Sequence, residues 1–545
     1  MKTARILFII FMFSISSNFV EAQQFATHFQ FAGKNTYRFS NNLTNYKVQL
    51  KGEIHVNDND TKIISISPDG YLAIEKKTFG NKRALSIESD ARGKLSYDYY
   101  EGREKVNFIP EGEEWLSEVL RDVVRMTGID AEARAKRIYK NNGIDGFVDE
   151  VEEISSNSVS GLYFESLLSE DKLNEKETII ILGAISHDIS SNSERGRLFK
   201  EFSTLFLETN AITENYFLAI SKMSSNSETG SVLRSIKEEI DFENNAVVAS
   251  FFNCVDGMSS NSETGRVLRY IESSQKLSEN AYARLLVSVR QLSSNSEMSA
   301  VLRALDRLNL NNIKVSNAYF SAIEKMSSNT ETASVLRHTI NEYDLSTDSW
   351  ISLFNVVGKM SSNTESSNVL RSITNLDLDN TSLSNAYFSA IDKISSNTET
   401  SSVLLHSINQ LNLNADSWIN LMNVCGKMSS NTEQAKVLVS ALQKMPFSTN
   451  QINALLNAAN KLSSSTELGR VLMEIVKSPK LDKYTCNELL ITARNLSSNT
   501  EKSRVLQAVA KTKFIQDKEI KKTFLEVAKT LSSQSEYTKA LEVLI

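Results

Sequence analysis

Apolar and polar positions follow two different periods along the chain. From residue 46 to 108 the apolar positions fall two apart, as Ile64/Ile66, Leu72/Ile74, Leu85/Ile87 and Leu95/Tyr97/Tyr99. Period two marks strands with one buried face, and Pro68-Asp69-Gly70, Gly80-Asn81 and Arg92-Gly93 supply turns between them. This predicts a small antiparallel β domain over 46–110. From residue 111 the spacing lengthens to that of a helix. Trp115, Val119, Val123 and Met126 share one face of a helix over 111–126, and another helix begins at Asp130. Residues 111–154 therefore read as a helical connector.

From residue 155 to 545 the pattern repeats. The string Ser-Ser-Asn-[Ser/Thr]-Glu recurs, with small changes, twelve times between Ser155 and Ser532, at gaps of 34 or 35 residues. Each copy is followed by an apolar helical stretch (Val232-Leu233 with Ile236), a polar break (Asp241 to Asn244) and a second apolar stretch (Ala246 to Val255). Two helices per period predict a mainly α fold: a right-handed α-solenoid of about twelve helical-hairpin repeats, preceded by the small antiparallel β-sheet domain. The period matches tetratricopeptide repeats, but their Trp, Leu-Gly, Tyr and late Pro pattern is absent, so a HEAT-like or divergent repeat is expected. A longer period lies on top. Asn317–Ile323 reappears as Asn385–Ile391, and Asp348–Ile351 as Asp416–Ile419. The offset of two repeats indicates duplication of a repeat pair.

The recurrent Ser and Glu have a mechanical reading. Ser225, Ser260, Ser294 and Ser328 stand where a helix N-cap belongs, with Glu228, Glu263, Glu297 and Glu331 three residues on. That spacing makes a capping box, in which Ser accepts from the Glu N–H and the Glu carboxylate reaches back to the cap N–H. The Glu also faces the positive end of the helix dipole. These residues are expected to be structural caps, not nucleophiles.

Composition narrows the class. With 19 Gly, 4 Pro and 41% apolar residues the chain is neither collagen-like nor disordered. The net charge of −6 lacks the basic footprint of a nucleic-acid binder, so no nucleic-acid partner is expected. Lys2 and Arg5, the apolar run Ile6–Ile15 and Val20-Glu21-Ala22 have the layout of a signal peptide over 1–22. A linker over 23–45 would follow it. Localisation is then periplasmic or secreted, and no stable membrane insertion is expected. Cys254, Cys425 and Cys486 are too few and too far apart for a disulfide framework and read as buried small hydrophobes.

The chemistry searched for is largely missing. His338 and His406 are copies of one repeat position, and no Cys/His zinc spacing, P-loop, dinucleotide glycine pattern or Gly-x-Ser-x-Gly elbow occurs. Asn57-Asp58-Asn59-Asp60 opens like a calcium loop, but the later Gly and Glu are missing, so it reads as a polar turn. No catalytic residue, metal or cofactor is expected. One positional series stands out: ten residues after the first Ser come Lys200, Arg234, Arg269, Arg303, Arg337 and Arg371 in six consecutive repeats. Stacked repeats would align them as a ladder. It serves either as a binding ridge for an acidic protein or anionic envelope component, or as a row of ion pairs with packed aliphatic stems.

One stretch resembles a known group. Ile66-Ser67-Pro68-Asp69-Gly70-Tyr71-Leu72, Trp115-Leu116, Gly128-Ile129-Asp130-Ala131-Glu132-Ala133-Arg134 and Gly143-Ile144-Asp145 are similar to exported bacterial helical-repeat proteins with a small N-terminal β-domain. They also resemble the extracytoplasmic region of some BlaR-like sensor proteins. The chain departs from that group by Asn where its caps often carry Asp, and by lacking His-Glu-x-x-His. The resemblance implies a periplasmic or secreted module and no activity. The expected function is a non-enzymatic binding scaffold for a protein or envelope component. The alternatives are an envelope stress sensor acting with a membrane partner and a structural or adhesive surface protein.

Overall fold

The computed structural model describes residues 25–31, 34–40, 43–170 and 173–544, so the signal peptide expected over 1–22 lies outside the described residues. The chain forms two compact units, Met1–Glu238 and Glu239–Ile545.

The first unit opens with a meander of strands β1 (Phe25–Phe31), β2 (Lys34–Ser40), β3 (Thr44–Lys51), β4 (Ile54–Val56), β5 (Ile63–Ile66), β6 (Tyr71–Thr78), β7 (Asn81–Ser89), β8 (Leu95–Glu101) and β9 (Glu104–Val106). Seven of them make one antiparallel sheet in the order β1-β2-β3-β6-β7-β8-β9, and β4 pairs with β5 as a separate hairpin. The expected linker over 23–45 is thus largely strand, because Tyr37 and Phe39 continue the period-two face and pack partly buried on the core. Register aligns the apolar residues: Leu50 faces Leu72, Leu72 faces Ile87, and Leu85 faces Tyr99. Helix α1 (Glu113–Thr127) lays Trp115, Val119, Leu120 and Val123 on that face, all buried. One strand differs from the alternation read in the sequence. Ile63 and Ile66 are buried while Ile64 is 61% exposed, because β4 and β5 shift register between His55 and Val56.

Behind the sheet, α2 (Ala131–Glu152), interrupted at Gly143 (φ 69°), carries a buried ion network. Arg134 donates to Asp60 at 2.7 and 2.9 Å, to Glu150 at 2.7 Å and to the Tyr163 hydroxyl at 2.7 Å. Arg125 also donates to Glu150, at 2.7 and 2.8 Å. The Asn57–Asp60 turn is therefore an anchor. Asn57 Oδ1 accepts from the N–H groups of Thr61 and Lys62, and Asp60, at φ 54°, points inward to Arg134. Burial alone would raise the Glu150 pKa. The bonds from Arg125 and Arg134 outweigh it and hold the carboxyl below its ordinary value of 4.5.

The repeats begin in this unit and fill the second. In the second unit the helices that follow Ser-Ser-Asn (Asn261–Ser274, Asn295–Leu302, Asn329–Glu342, Asn363–Arg371, Asn397–Gln410, Asn431–Lys444, Ser465–Lys477, Asn499–Ala510) pack on one another in order. The second helices of each repeat, from Asn245–Asp256 to Lys518–Ala528, form the other layer. Tyr319 and Tyr387, 68 positions apart, are fully buried between layers and bond Thr339 and Ser407 at 2.9 and 2.7 Å. The two-repeat period has a structural counterpart: successive first helices alternate as 14, 8, 14, 9 and 14 residues from Asn261 to Gln410.

The buried network predicts acid sensitivity. A carboxyl held low in the folded state stabilises above its unfolded pKa and loses that contribution as pH falls through the folded value. Urea unfolding of Glu150→Gln should show lower stability than wild type at neutral pH and a smaller further loss from about pH 6 to about pH 3. Arg134→Gln, which strands Asp60 and Glu150 without their cation, should cost about 3–5 kcal/mol.

Candidate functional site: the first-helix face of the repeats

Each first helix begins at its second motif Ser. The Ser side chain accepts from the Glu backbone N–H at 3.3 Å in Ser225/Glu228, Ser260/Glu263 and Ser294/Glu297, and at 3.4 Å in Ser328/Glu331. The return bond from the Glu side chain is a different matter. Among the described residues a complete capping box forms at Asn174/Glu177 and not at Ser225, Ser294 or Ser328. The reason is that the motif Asn takes over. Asn329 Oδ1 accepts from the backbone N–H of Ser361 at 2.9 Å and of Ser362 at 3.3 Å, and its Nδ2 donates to Ser361 Oγ at 2.9 Å. The same staple joins Asn192 to Ser224, Asn295 to Ser327, Asn397 to Ser429 and Asn431 to Ser463. Where the motif has Ser465 in place of Asn, its Oγ still accepts from Ser497 and Ser498, at 3.0 and 3.2 Å. Each repeat thus caps the start of the next. Sequence reading missed this role, and the signal was present: Asn recurs at a position that capping chemistry does not require.

Released from the box, the Glu carboxylate lies over the preceding first helix. A methyl group at Gly265 would come within 2.5 Å of Glu297 Oε2, and one at Gly469 within 2.6 Å of Glu501 Oε2. The position stays small throughout: Ser299, Ala333, Ser367, Ser401, Ala435 and Ser503 occupy it in the other repeats of the second unit.

The six cations of the expected ladder lie in different surroundings. Lys200 Nζ is 3.9 Å from Glu228, and Arg269 Nη1 is 3.3 Å from Glu297. Arg234 is the half-buried C-cap of Asn226–Leu233. The next three turn back on their own helices: Arg303 Nε to Ser299 Oγ at 3.3 Å, Arg337 Nε to the Ala333 carbonyl at 3.3 Å, and Arg371 Nε to Ser367 Oγ at 3.2 Å. All three are exposed, and none forms an ion pair among the described residues.

Other candidates are occupied. A cleft of about 910 Å³ opens between β4 and α2; of its ionisable lining groups, His55 hydrogen-bonds Asp130, while Lys136 and Glu165 pair with Glu132 and Arg197. Asp130 also accepts from the Val56 N–H at 3.2 Å. Cys254, Cys425 and Cys486 are buried and free, and burial pushes the Cys254 thiol up to about 12 and that of Cys486 up to about 11. They are therefore not nucleophiles at neutral pH. Among the described residues no helix is long and apolar enough to cross a membrane.

These features define a helical-repeat solenoid with an N-terminal antiparallel sheet. No protein-family model and no curated protein matches the chain. Solved structures similar to it include the pentatricopeptide repeat protein PPR10 in complex with an 18-nt psaJ RNA element, 14% identical over 80% of this chain and 76% of that one, TM-score 0.19. SYS-1 is 9% identical over 79% and 89%, TM-score 0.19. The Chs5-Bch1 exomer cargo adaptor complex is 11% identical over 87% and 84%, TM-score 0.15. The repeat architecture itself rests on this chain's own helices and hydrogen bonds. One expectation is corrected here. The exclusion of nucleic acid drawn from net charge does not stand. A chain total of −6 says nothing about the charge of one face.

The staple has a measurable value. Asn329→Ala should lower stability by about 0.5–1.5 kcal/mol in urea unfolding, as the Ser361 and Ser362 N–H groups lose their acceptor. Asn329→Ser, which copies Ser465, should recover part of that loss.

Proposed function

We propose that the chain is an exported, non-enzymatic binding scaffold whose first-helix face in the second unit takes an acidic segment of a partner protein. The observation that carries this reading is the row Arg303, Arg337 and Arg371: exposed, at one position of three consecutive repeats, and among the described residues without an internal counter-ion. Like charges set in a row by the fold repel one another, and a partner's carboxylates relieve that repulsion. The planar guanidinium suits carboxylates because it can donate two parallel bonds. The cations at Lys200 and Arg269 are neutralised internally and fall outside the proposed face. Export is supported by the pattern of residues 1–22. The sensor reading is supported by the resemblance of residues 66–145 alone.

The test uses the full mature chain and a labelled oligoglutamate peptide. Replacing Arg303, Arg337 and Arg371 together by Gln should leave the melting point within a few degrees and weaken peptide binding at least about tenfold at low salt. The difference should shrink as salt rises, since exposed charges are screened over about 8–10 Å. Equal binding by both proteins rules out this face. Retention of a 20-nucleotide RNA in preference to the peptide, lost in the same triple variant, transfers the face to nucleic acid.

A further inference from the structure

A second ladder runs along the turns that lead into each motif. The residue three before the first Ser of one repeat meets the residue two before the first Ser of the next. Glu324 meets Lys359 at 2.6 Å, Asp392 meets Lys427 at 2.8 Å, Asp256 meets Gln291 at 3.2 Å and Asn460 meets Asn495 at 3.0 Å. In each case an acid or amide finds a cation or an amide. The pairing is confined to these four junctions: others carry Arg290 and Lys325, or Gly358 and Lys393, at the same two positions, and the first junction differs again. The equivalent positions are Glu152 and Asp188, two carboxylates, and the neighbouring position three before Ser190 is His187.

Donor atoms of Glu152, His187 and Asp188 lie within 4.8 Å of one another. His187 Nδ1 sits 2.6 Å from Asp188 Oδ1. The Asp188 side chain is only 4% exposed, and its second oxygen, Oδ2, is buried with no hydrogen-bond partner. An acid in that state lacks a cation on one side. At Glu324 and Asp392 a lysine of the next repeat supplies it, and among the described residues no lysine or arginine pairs with Asp188.

We propose that Glu152, His187 and Asp188 form a divalent transition-metal site that closes the junction between the first two repeats. One imidazole with two carboxylates is a donor set for Zn²⁺ and its neighbours more than for Mg²⁺ or Ca²⁺. Bonds of about 2.0–2.2 Å set the donors roughly 3–3.5 Å apart, so Glu152 must close in while the His187 and Asp188 donors, 2.6 Å apart here, open slightly. Glu152 and the His187 ring are exposed and free to swing, while Asp188 is fixed. Three protein ligands leave a position open to water, so the ion acts first as a staple replacing the Lys of later junctions. This site is independent of the guanidinium row.

The experiment uses the full chain stripped with chelator and then titrated with zinc alone. Calorimetry should find one zinc per chain, and the melting point should rise with zinc. His187→Ala, a change at an exposed ring, should weaken zinc at least about tenfold, whereas His338→Ala should leave it unchanged. Glu152→Lys restores the acid–lysine pairing of later junctions. It should abolish the zinc response and raise the metal-free melting point. The proposal is overturned if wild type takes up no zinc, if His187→Ala binds as tightly as wild type, or if Glu152→Lys keeps the zinc response. Any of these would leave the junction to the His187–Asp188 hydrogen bond and to Asn157, whose Oδ1 accepts from the Ser191 N–H at 3.1 Å.

Discussion

The structure turns on who satisfies the backbone N–H groups at the start of each first helix. A helix begins with four donors that have no partner inside it, and they cannot be left dry. The motif Ser covers one, at the Glu position. The N–H groups of the two serines themselves are claimed by an Asn one repeat earlier, as Ser361 and Ser362 are by Asn329. A repeat therefore begins correctly only when its predecessor is in place. The constraint also explains the narrow spacing of 34 or 35 residues: a longer insertion between Asn and Ser-Ser would have to loop out without moving either. Freed from the cap, each Glu lies on the helix before it, which selects small residues such as Gly265 there.

The first unit solves a different problem, that of starting such a stack from a sheet. Its means is charge. Arg134, with a side chain 2% exposed, joins the Asn57–Asp60 turn, α2 and Tyr163 of the first repeat helix. Buried ions are costly to desolvate, and such a network is favourable only when every charge has its partners. Here Asp60 and Glu150 each meet at least one guanidinium, and Arg125 closes the set. The network specifies which loop meets which helix more than it adds stability.

Much of this was legible in the residues. Period-two and period-3.6 patterns placed the sheet and α1, and the Ser and Glu positions placed the helix starts. Three things were not legible. Ile64 turned outward because a register shift in a short hairpin is a two-strand property, invisible in one strand. The Arg134 network depends on residues 60, 134, 150 and 163 meeting in space, and no local pattern announces that. The cation series was visible as a series, but not which members are neutralised. That depends on whether Glu297 swings toward Arg269 and on Arg303 turning back to Ser299.

The central claim, that each repeat caps the next through Asn, is tested most directly by native-state hydrogen exchange at the backbone amides of Ser327, Ser361, Ser395 and Ser429. These serines are exposed, and each N–H is bonded only across the junction, to Asn295, Asn329, Asn363 and Asn397. The account predicts slow exchange at all four in wild type, close to that of the buried helix amides, and fast exchange at Ser361 alone in Asn329→Ala. Fast exchange at these amides in wild type would contradict it.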